Sequence, residues 1–278
     1  MSVILAIVAL ALACCVAAIL LVRSSGLVYV GRTAAGWTSV HTVTLANETM
    51  RVLEVAGTYQ SATYLDERWC DPVFPYHELY DHLFDAWPLG DGPRSVAVLG
   101  GGGYAIPRHL VAHAPQVERI DVVEIDPAIE RIARRHFFLD RLERLYGAEA
   151  SGRLRLHVAD AATWLGDSDE AFDVIINDCF FAHDPEQSLM TVGAAGLFRR
   201  HLNEGGVYLT NVISALWGPE ARLLHAQMDA LSTQFSHLWL YPCGQDDPAY
   251  PDNNVVIATN APHAFPGAWA WPLREGAR

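Results

Sequence analysis

Basic side chains are scarce in this 278-residue chain: 19 stand against 32 acidic ones, giving a formal net charge of -13 and a pI near 5.3. That sign is opposite to what a phosphate backbone or an anionic lipid surface attracts, which argues against nucleic acid as a partner. Cysteine is sparse as well. The five (Cys14, Cys15, Cys70, Cys179, Cys243) are scattered, without a CxxC pair or a Cys/His cluster at metal-ligand spacing. Neither a disulfide framework nor a zinc site is expected, and no metal is assigned. There is no internal repeat, no low-complexity tract and no GK[ST] sequence of the kind that marks a P-loop. Charged residues make up only 18% against 51% hydrophobic, too apolar for a disordered chain and enough for one large domain or two small ones.

One long hydrophobic run is present. Val3 to Val22 is twenty residues without a charge, long enough at about 1.5 Å per residue to cross the roughly 30 Å hydrocarbon core. It reads as a single-pass transmembrane anchor. A cleaved signal peptide is the alternative, but no Lys or Arg precedes the run, no good A-x-A site follows, and the run exceeds the usual apolar length. Ala13-Cys14 only loosely suggests a lipoprotein signal. Arg23 and Arg32 follow the segment, so the positive-inside tendency puts the body of the protein on the cytoplasmic side.

From Gly36 to Leu65 apolar and polar residues alternate, with a turn at Ala46-Asn47-Glu48, which predicts a small antiparallel sheet. Pro72 to Trp87 has Leu79, Leu83 and Trp87 at helical spacing, and the Pro and Gly of Pro88 to Pro93 mark a boundary. Beyond it, continuous apolar segments alternate with amphipathic helices: Ser95 to Leu99, Arg119 to Val123, Leu154 to Val158, Phe172 to Ile176 and Val207 to Val212. Fully buried parallel strands are written this way. Two late segments, His237 to Tyr241 and Asn254 to Thr259, should close the sheet as an antiparallel hairpin. The expected division is a transmembrane anchor over 1–24, a small β domain with a connecting helix over 25–92, a Rossmann-like catalytic domain over 93–262 and a tail over 263–278. The fold class is α/β, with a doubly wound, mostly parallel seven-stranded sheet.

Val96 to Leu99 runs into four glycines, Gly100 to Gly103, and then into a helix. Strand, glycine loop and helix open a nucleotide-binding βαβ unit, in which Gly100 and Gly102 let the backbone approach a ligand. The next strand ends in Glu124, 24 residues after Gly100, placed to take both ribose hydroxyls. Asp160 and Asp178 end the third and fourth strands. Carboxylates at successive strand ends converge on one crevice, where Asp160 would accept from an adenine amino group while also capping the following helix. A crevice with several acids and no lysine suits a cationic ligand better than phosphate.

Together these residues resemble the spermidine synthase family, polyamine aminopropyltransferases that share the fold of the class I S-adenosylmethionine-dependent methyltransferases. The likeness rests on VLGGGGYAIPR at Val98 to Arg108, VVEIDP at Val122 to Pro127, LHVADA at Leu156 to Ala161, FDVIINDC at Phe172 to Cys179, PEQSL at Pro185 to Leu189 and AYP at Ala249 to Pro251. Upstream, Gly57 to Gln60 and Tyr76-His77-Glu78 are similar to the family's hairpin glutamine and its Tyr-(His/Gln)-Glu element. The resemblance implies that Gln60, His77, Glu124 and Asp160 hold the nucleoside of decarboxylated S-adenosylmethionine, that Asp178 is catalytic, and that Tyr76 and Tyr250 line an amine channel. It also implies a small-molecule amine such as putrescine as acceptor, methylthioadenosine as product, no metal, and a homodimer formed through the N-terminal sheet.

Two positions depart from the family pattern. Gly103 stands where a donor-binding aspartate is usual, and Phe181 where a second, acceptor-contacting acid is usual. Each such bond to an ammonium contributes on the order of 1.5 to 3 kcal/mol. Asp184 or Glu186 could substitute. The sequence looks closer to the membrane-associated, spermidine synthase-like bacterial proteins, for which the substrate is open. Two other functions therefore stand beside aminopropyl transfer: methyl transfer from intact S-adenosylmethionine, and nucleoside binding without turnover.

Overall fold

The computed structural model of the chain describes residues 26–87, 92–181, 184–244 and 247–272. The expected anchor, Val3 to Val22, lies outside the described residues, and among those residues no helix is long and apolar enough to cross a membrane.

Strands β1 (Leu27–Thr33), β2 (Gly36–Leu45), β3 (Glu48–Val55) and β4 (Thr58–Tyr64) form an antiparallel sheet in that order. The alternation suggested two runs where there are four strands. Leu27–Thr33 adds an edge, and the second run breaks at Ala56 and Gly57, whose φ angles of 51° and 85° turn the chain back on itself. The turn expected at Ala46-Asn47 is present, again with both residues left-handed.

The helix expected from Pro72 to Trp87 is shorter: α1 spans Pro75–Leu79 and tightens into a 3-10 turn over Tyr80–Ala86. Pro72 and Pro75 lack backbone donors, so regular helix starts only at the second of them. The second layer then follows as β5 (Ser95–Leu99), α2 (Ala105–His113), β6 (Arg119–Glu124), α3 (Pro127–His136), α4 (Leu139–Tyr146), β7 (Leu154–Val158), α5 (Ala161–Gly166) and β8 (Phe172–Asn177). A two-strand excursion, β9 (Phe180–Phe181) and β10 (Asp184–Pro185), precedes α6 (Val192–Arg200), β11 (Leu202–Ser214), α7 (Arg222–Ser232), β12 (His237–Pro242), β13 (Asp252–Thr259) and β14 (Trp269–Ala270).

The large sheet runs β14-β12-β13-β11-β8-β5-β6-β7. The pairings from β11 to β7 are parallel, and β13 joins β11 and β12 antiparallel, as the late hairpin required. The sheet has eight strands among the described residues, one more than expected. The eighth is the pair Trp269–Ala270, from the segment expected to be a tail, which hydrogen-bonds to Trp239 and Leu240. Two residues are too few to show an alternation, so only edge pairing reveals them.

Continuous apolar strands are buried on both faces because each face has its own core. Val96, Val98, Val122, Val174 and Ile176 pack with Leu53 and Val55 of the small sheet on one side. Ala97, Leu99, Val123 and Ile175 pack with Phe198, Leu224 and Met228 of α6 and α7 on the other. Asp126 caps α3 at Ala128 N (2.7 Å) and also accepts from Ala34 N in the β1–β2 turn, tying the small sheet to the large one. Arg108 of α2 is completely buried beneath the small sheet, where Nη1 donates to Thr63 Oγ1 (3.0 Å) and to the Trp69 carbonyl. Burial pushes this guanidinium down to about 10.

Strand order reverses between β5 and β8, so the chain leaves their C-terminal ends in opposite directions and a crevice opens there.

Candidate active site

The crevice is a cavity of about 430 Å³ reached by both sheets. The small sheet contributes Gln60, α1 contributes Tyr76 and His77, and the strand ends of the large sheet contribute Gly100 to Gly102, Glu124, Asp160 and Asp178. Sequence reasoning named all of these, and the fold brings them to one wall-lined space. Tyr250 is the exception. It is 74% exposed on the loop before β13 and does not line the cavity. The motif around it sits in a turn, where Tyr250 N donates to Asp247 O (3.0 Å), so the aromatic faces solvent.

The glycine loop owes its shape to Gly100. Its φ of +95° is left-handed, and a Cβ there would stand 2.5 Å from the Asp178 carbonyl oxygen. This close approach lets Asp178 N donate to Leu99 O (2.9 Å) while Gly100 N donates to Val123 O (2.9 Å), locking the ends of β8, β5 and β6 together. The turn then aims two amides at the next strand end: Gly101 N and Gly102 N donate to Glu124 Oε2 at 3.0 and 3.1 Å, and Asp126 N donates to Oε1 at 2.9 Å. Glu124 is 8% exposed, and burial raises its carboxyl above the ordinary value despite these three bonds. A carboxylate offers about four acceptor positions, so three donors leave it roughly one for a ligand.

Asp160 caps α5. Its Oδ1 accepts from both the backbone N and the hydroxyl of Thr163 at 2.8 Å, and Oδ2 has no hydrogen bond among the described residues. The cap therefore occupies only one oxygen of the side chain.

Asp178 follows β8, and the three partners of its carboxylate are all side chains. Tyr76 donates its hydroxyl to Oδ2 at 3.2 Å, His77 Nε2 lies 3.2 Å from the same oxygen, and Tyr80 donates to Oδ1 at 3.4 Å. The side chains of His77 and Asp178 are 4% and 16% exposed. Facing a carboxylate, His77 must carry its proton on Nε2, which leaves Nδ1 buried and without a hydrogen-bond partner among the described residues. Burial first, and then the Asp178 charge, hold the Tyr76 and Tyr80 phenols well above their usual range, so both remain donors. His77 was expected on the nucleoside; here its Nε2 is engaged by Asp178. Tyr80 is a residue that sequence reasoning missed, although its position one turn after Tyr76 was a signal that both rings share a helix face.

Cys179 reports the electrostatics of the crevice. Its thiol is pushed well above its usual range by burial, and next by the charges of Glu124, Asp178, Glu186 and Asp160. These four carboxylates, from three strand ends and a loop, line this one cavity. Glu186, one of the two acids suggested as substitutes, lines the cavity. Gly103 has no room for an acid: a Cβ there would meet Ser61 Oγ at 2.4 Å and Phe137 Cδ1 at 3.1 Å. The lining also includes Asn211 and Asn253, with Asn211 Nδ2 donating to Asn253 Oδ1 at 2.8 Å.

Comparison with known proteins gives one consistent likeness. The family model described as "Spermine/spermidine synthase domain" matches residues 73–256. A polyamine aminopropyltransferase of Sodalis glossinidius is 35% identical over 161 residues, which cover 57% of this chain and 50% of that protein, so this chain spans half the length of that relative. A polyamine aminopropyltransferase of Serratia proteamaculans is 30% identical over 213 residues, covering 72% of this chain and 69% of the relative. Among solved structures, a probable spermidine synthase from Corynebacterium glutamicum superposes with a TM-score of 0.69 over 84% of this chain and 80% of its own, at 20% identity, a likeness of fold.

Proposed function

The chain belongs to the spermine/spermidine synthase family, and from that premise we propose that it moves an aminopropyl group from decarboxylated S-adenosylmethionine to a small amine such as putrescine, releasing methylthioadenosine. The observation that carries this reading is the gathering of Glu124, Asp160, Asp178 and Glu186 on the lining of one cavity. A cavity with this charge suits a sulfonium and an ammonium, and it repels a phosphate.

In this reading Glu124 takes one ribose hydroxyl in its remaining acceptor position, and a second hydroxyl displaces one of the glycine amides. Oδ2 of Asp160 takes the adenine amino group, and Gln60 lies across the cavity on the small sheet. The amine enters beside Asp178, which accepts a proton from it. The nitrogen lone pair then forms a bond to the aminopropyl carbon attached to sulfur, and the carbon–sulfur bond breaks with its electron pair passing to sulfur. The sulfonium becomes the neutral thioether of methylthioadenosine. Tyr76, His77 and Tyr80 orient the carboxylate, and holding nitrogen, carbon and sulfur in line supplies several kcal/mol of the barrier reduction.

The closed-off position at Gly103 favours a second reading, methyl transfer from S-adenosylmethionine, because no acid there selects against the carboxylate of the intact donor. Incubating the protein with either donor and putrescine decides between them. Methylthioadenosine formed from the decarboxylated donor supports aminopropyl transfer, and S-adenosylhomocysteine formed from the intact donor supports the second reading. Binding of methylthioadenosine without product from either donor supports a nucleoside-binding role.

We further propose a membrane-anchored protein with its body in the cytoplasm, on the strength of Val3 to Val22 and the arginines after it. A homodimer through the small sheet is the matching proposal for assembly. Val28 and Val30 on edge strand β1 and Trp37 on β2 are 40%, 53% and 67% exposed, an apolar strip that pairing would cover.

A further inference from the structure

Scattered cysteines exclude a thiolate metal site, yet the fold assembles nitrogen and oxygen donors away from the cavity. His109 and His113 are one turn apart on α2, with ring centroids 4.8 Å from one another. Asp71, from the segment between β4 and α1, brings Oδ1 to 2.9 Å from His113 Nε2. Asp81, on the 3-10 turn after α1, places its two carboxylate oxygens 3.0 and 3.1 Å from His109 Nε2. One ligand atom from each of Asp71, His109 and His113 falls within 4.8 Å of the others.

We propose that Asp71, His109 and His113 form a binding site for one divalent transition-metal cation of the zinc type. Two imidazoles at i and i+4 present their nitrogens on one helix face, and a carboxylate supplies the compensating charge. Imidazole with carboxylate selects zinc, cobalt or nickel over magnesium or calcium, which take oxygen donors alone. With three protein ligands, the fourth tetrahedral position belongs to water. Zinc-to-ligand distances near 2.0 to 2.2 Å require the donor atoms to draw together. The side chains of His113 and Asp71 are 50% and 41% exposed, so they can swing the required distance. Asp81 completes the arrangement as the carboxylate that fixes the His109 ring. The other nitrogen of that ring, Nδ1, is buried without a hydrogen-bond partner among the described residues, an unfilled position within the cluster.

None of the three ligands lines the cavity, so the cation takes no part in the reaction. Its place gives it a different consequence. Asp71 leads into α1, which carries Tyr76 and His77, while α2 follows the glycine loop. A cation there cross-links the two segments that meet at Asp178.

The test is a titration of the untagged, metal-stripped full chain with Co2+. The expected result is a tetrahedral d–d absorption band that saturates at one equivalent and is displaced by Zn2+, with a Tm that rises as Zn2+ is added. His113→Ala removes an exposed side chain and should weaken Co2+ at least tenfold while abolishing the Tm rise; Asp71→Asn should act in the same direction. His41→Ala, on the small sheet beside Glu54 (3.6 Å), should leave both readouts unchanged. A wild-type protein without a saturable band, or a His113→Ala variant of undiminished affinity, overturns the site.

Discussion

His77 Nε2 lies 3.2 Å from Asp178 Oδ2, although 101 residues separate them in the chain. The small N-terminal unit therefore does more than cover the cavity: it supplies, through α1 and the turn after it, all three side chains that grip the carboxylate at the end of β8. The chemistry assigned to Asp178 depends on two elements that fold from opposite sides of the crevice.

Asp178→Asn keeps the size of the side chain and removes its capacity to accept a proton from the amine. Transfer should fall by roughly 10²- to 10⁴-fold, the usual contribution of a positioned base. Methylthioadenosine affinity, measured by calorimetry, should stay within a few-fold of wild type. A variant that retains transfer refutes the assigned role.

Tyr80→Phe removes one donor to Asp178 from a residue that does not line the cavity. Its bond is long at 3.4 Å, so the loss belongs at the lower end for bonds to charged groups, about 1.5 kcal/mol, or roughly tenfold in kcat. The KM for the sulfonium donor should not move. A rise in that KM with kcat intact would place Tyr80 on the nucleoside instead.

In its proposed role on the ribose, Glu124 should make ligand binding sensitive to acid. Its carboxyl is raised above the ordinary value near 4.5, chiefly by burial. In the free protein, the stability this group contributes is present below the ordinary value and lost as pH rises through the raised one. Affinity for a ribose hydroxyl runs the other way, because protonation consumes the remaining acceptor position. Methylthioadenosine affinity should thus decline on acidification, beginning above pH 4.5. Glu124→Gln should bind more weakly at neutral pH and lose that decline, as fluorescence titrations across the range would show.

Gly103→Ala places a methyl group against Ser61 Oγ and Phe137. Overpacking of this kind costs about 1 to 3 kcal/mol, read as a fall in Tm. Combined with Ser61→Gly it should cost less than the two single changes added together, since the second change removes the two nearest atoms that the methyl meets, leaving only Phe137. Strict additivity would mean that the two positions do not touch in solution.

Much of this site is legible without coordinates. Glu124, Asp160 and Asp178 are found from apolar strand segments that end in an acid, and a parallel sheet must bring its carboxyl ends to one rim. Gly100 follows in the same way, because a strand that turns sharply into a helix needs a residue with φ near +95°. Tyr250 shows the limit of motif reading: the local sequence is matched, but the turn at Asp247 directs the ring to solvent. The eighth strand, Trp269–Ala270, had no pattern to read.

The sequence by itself determined the periodicities, and through them the α/β class, the strand ends and the acids on them, because backbone hydrogen bonding and burial act on near neighbours in the chain. The tertiary structure alone decided which residues meet: His77 and Tyr80 at Asp178, Asp71 at His113, Ser61 against Gly103. Those encounters depend on how two independently patterned sheets pack together. Packing is fixed by the shape of the whole core, which no local run of residues encodes.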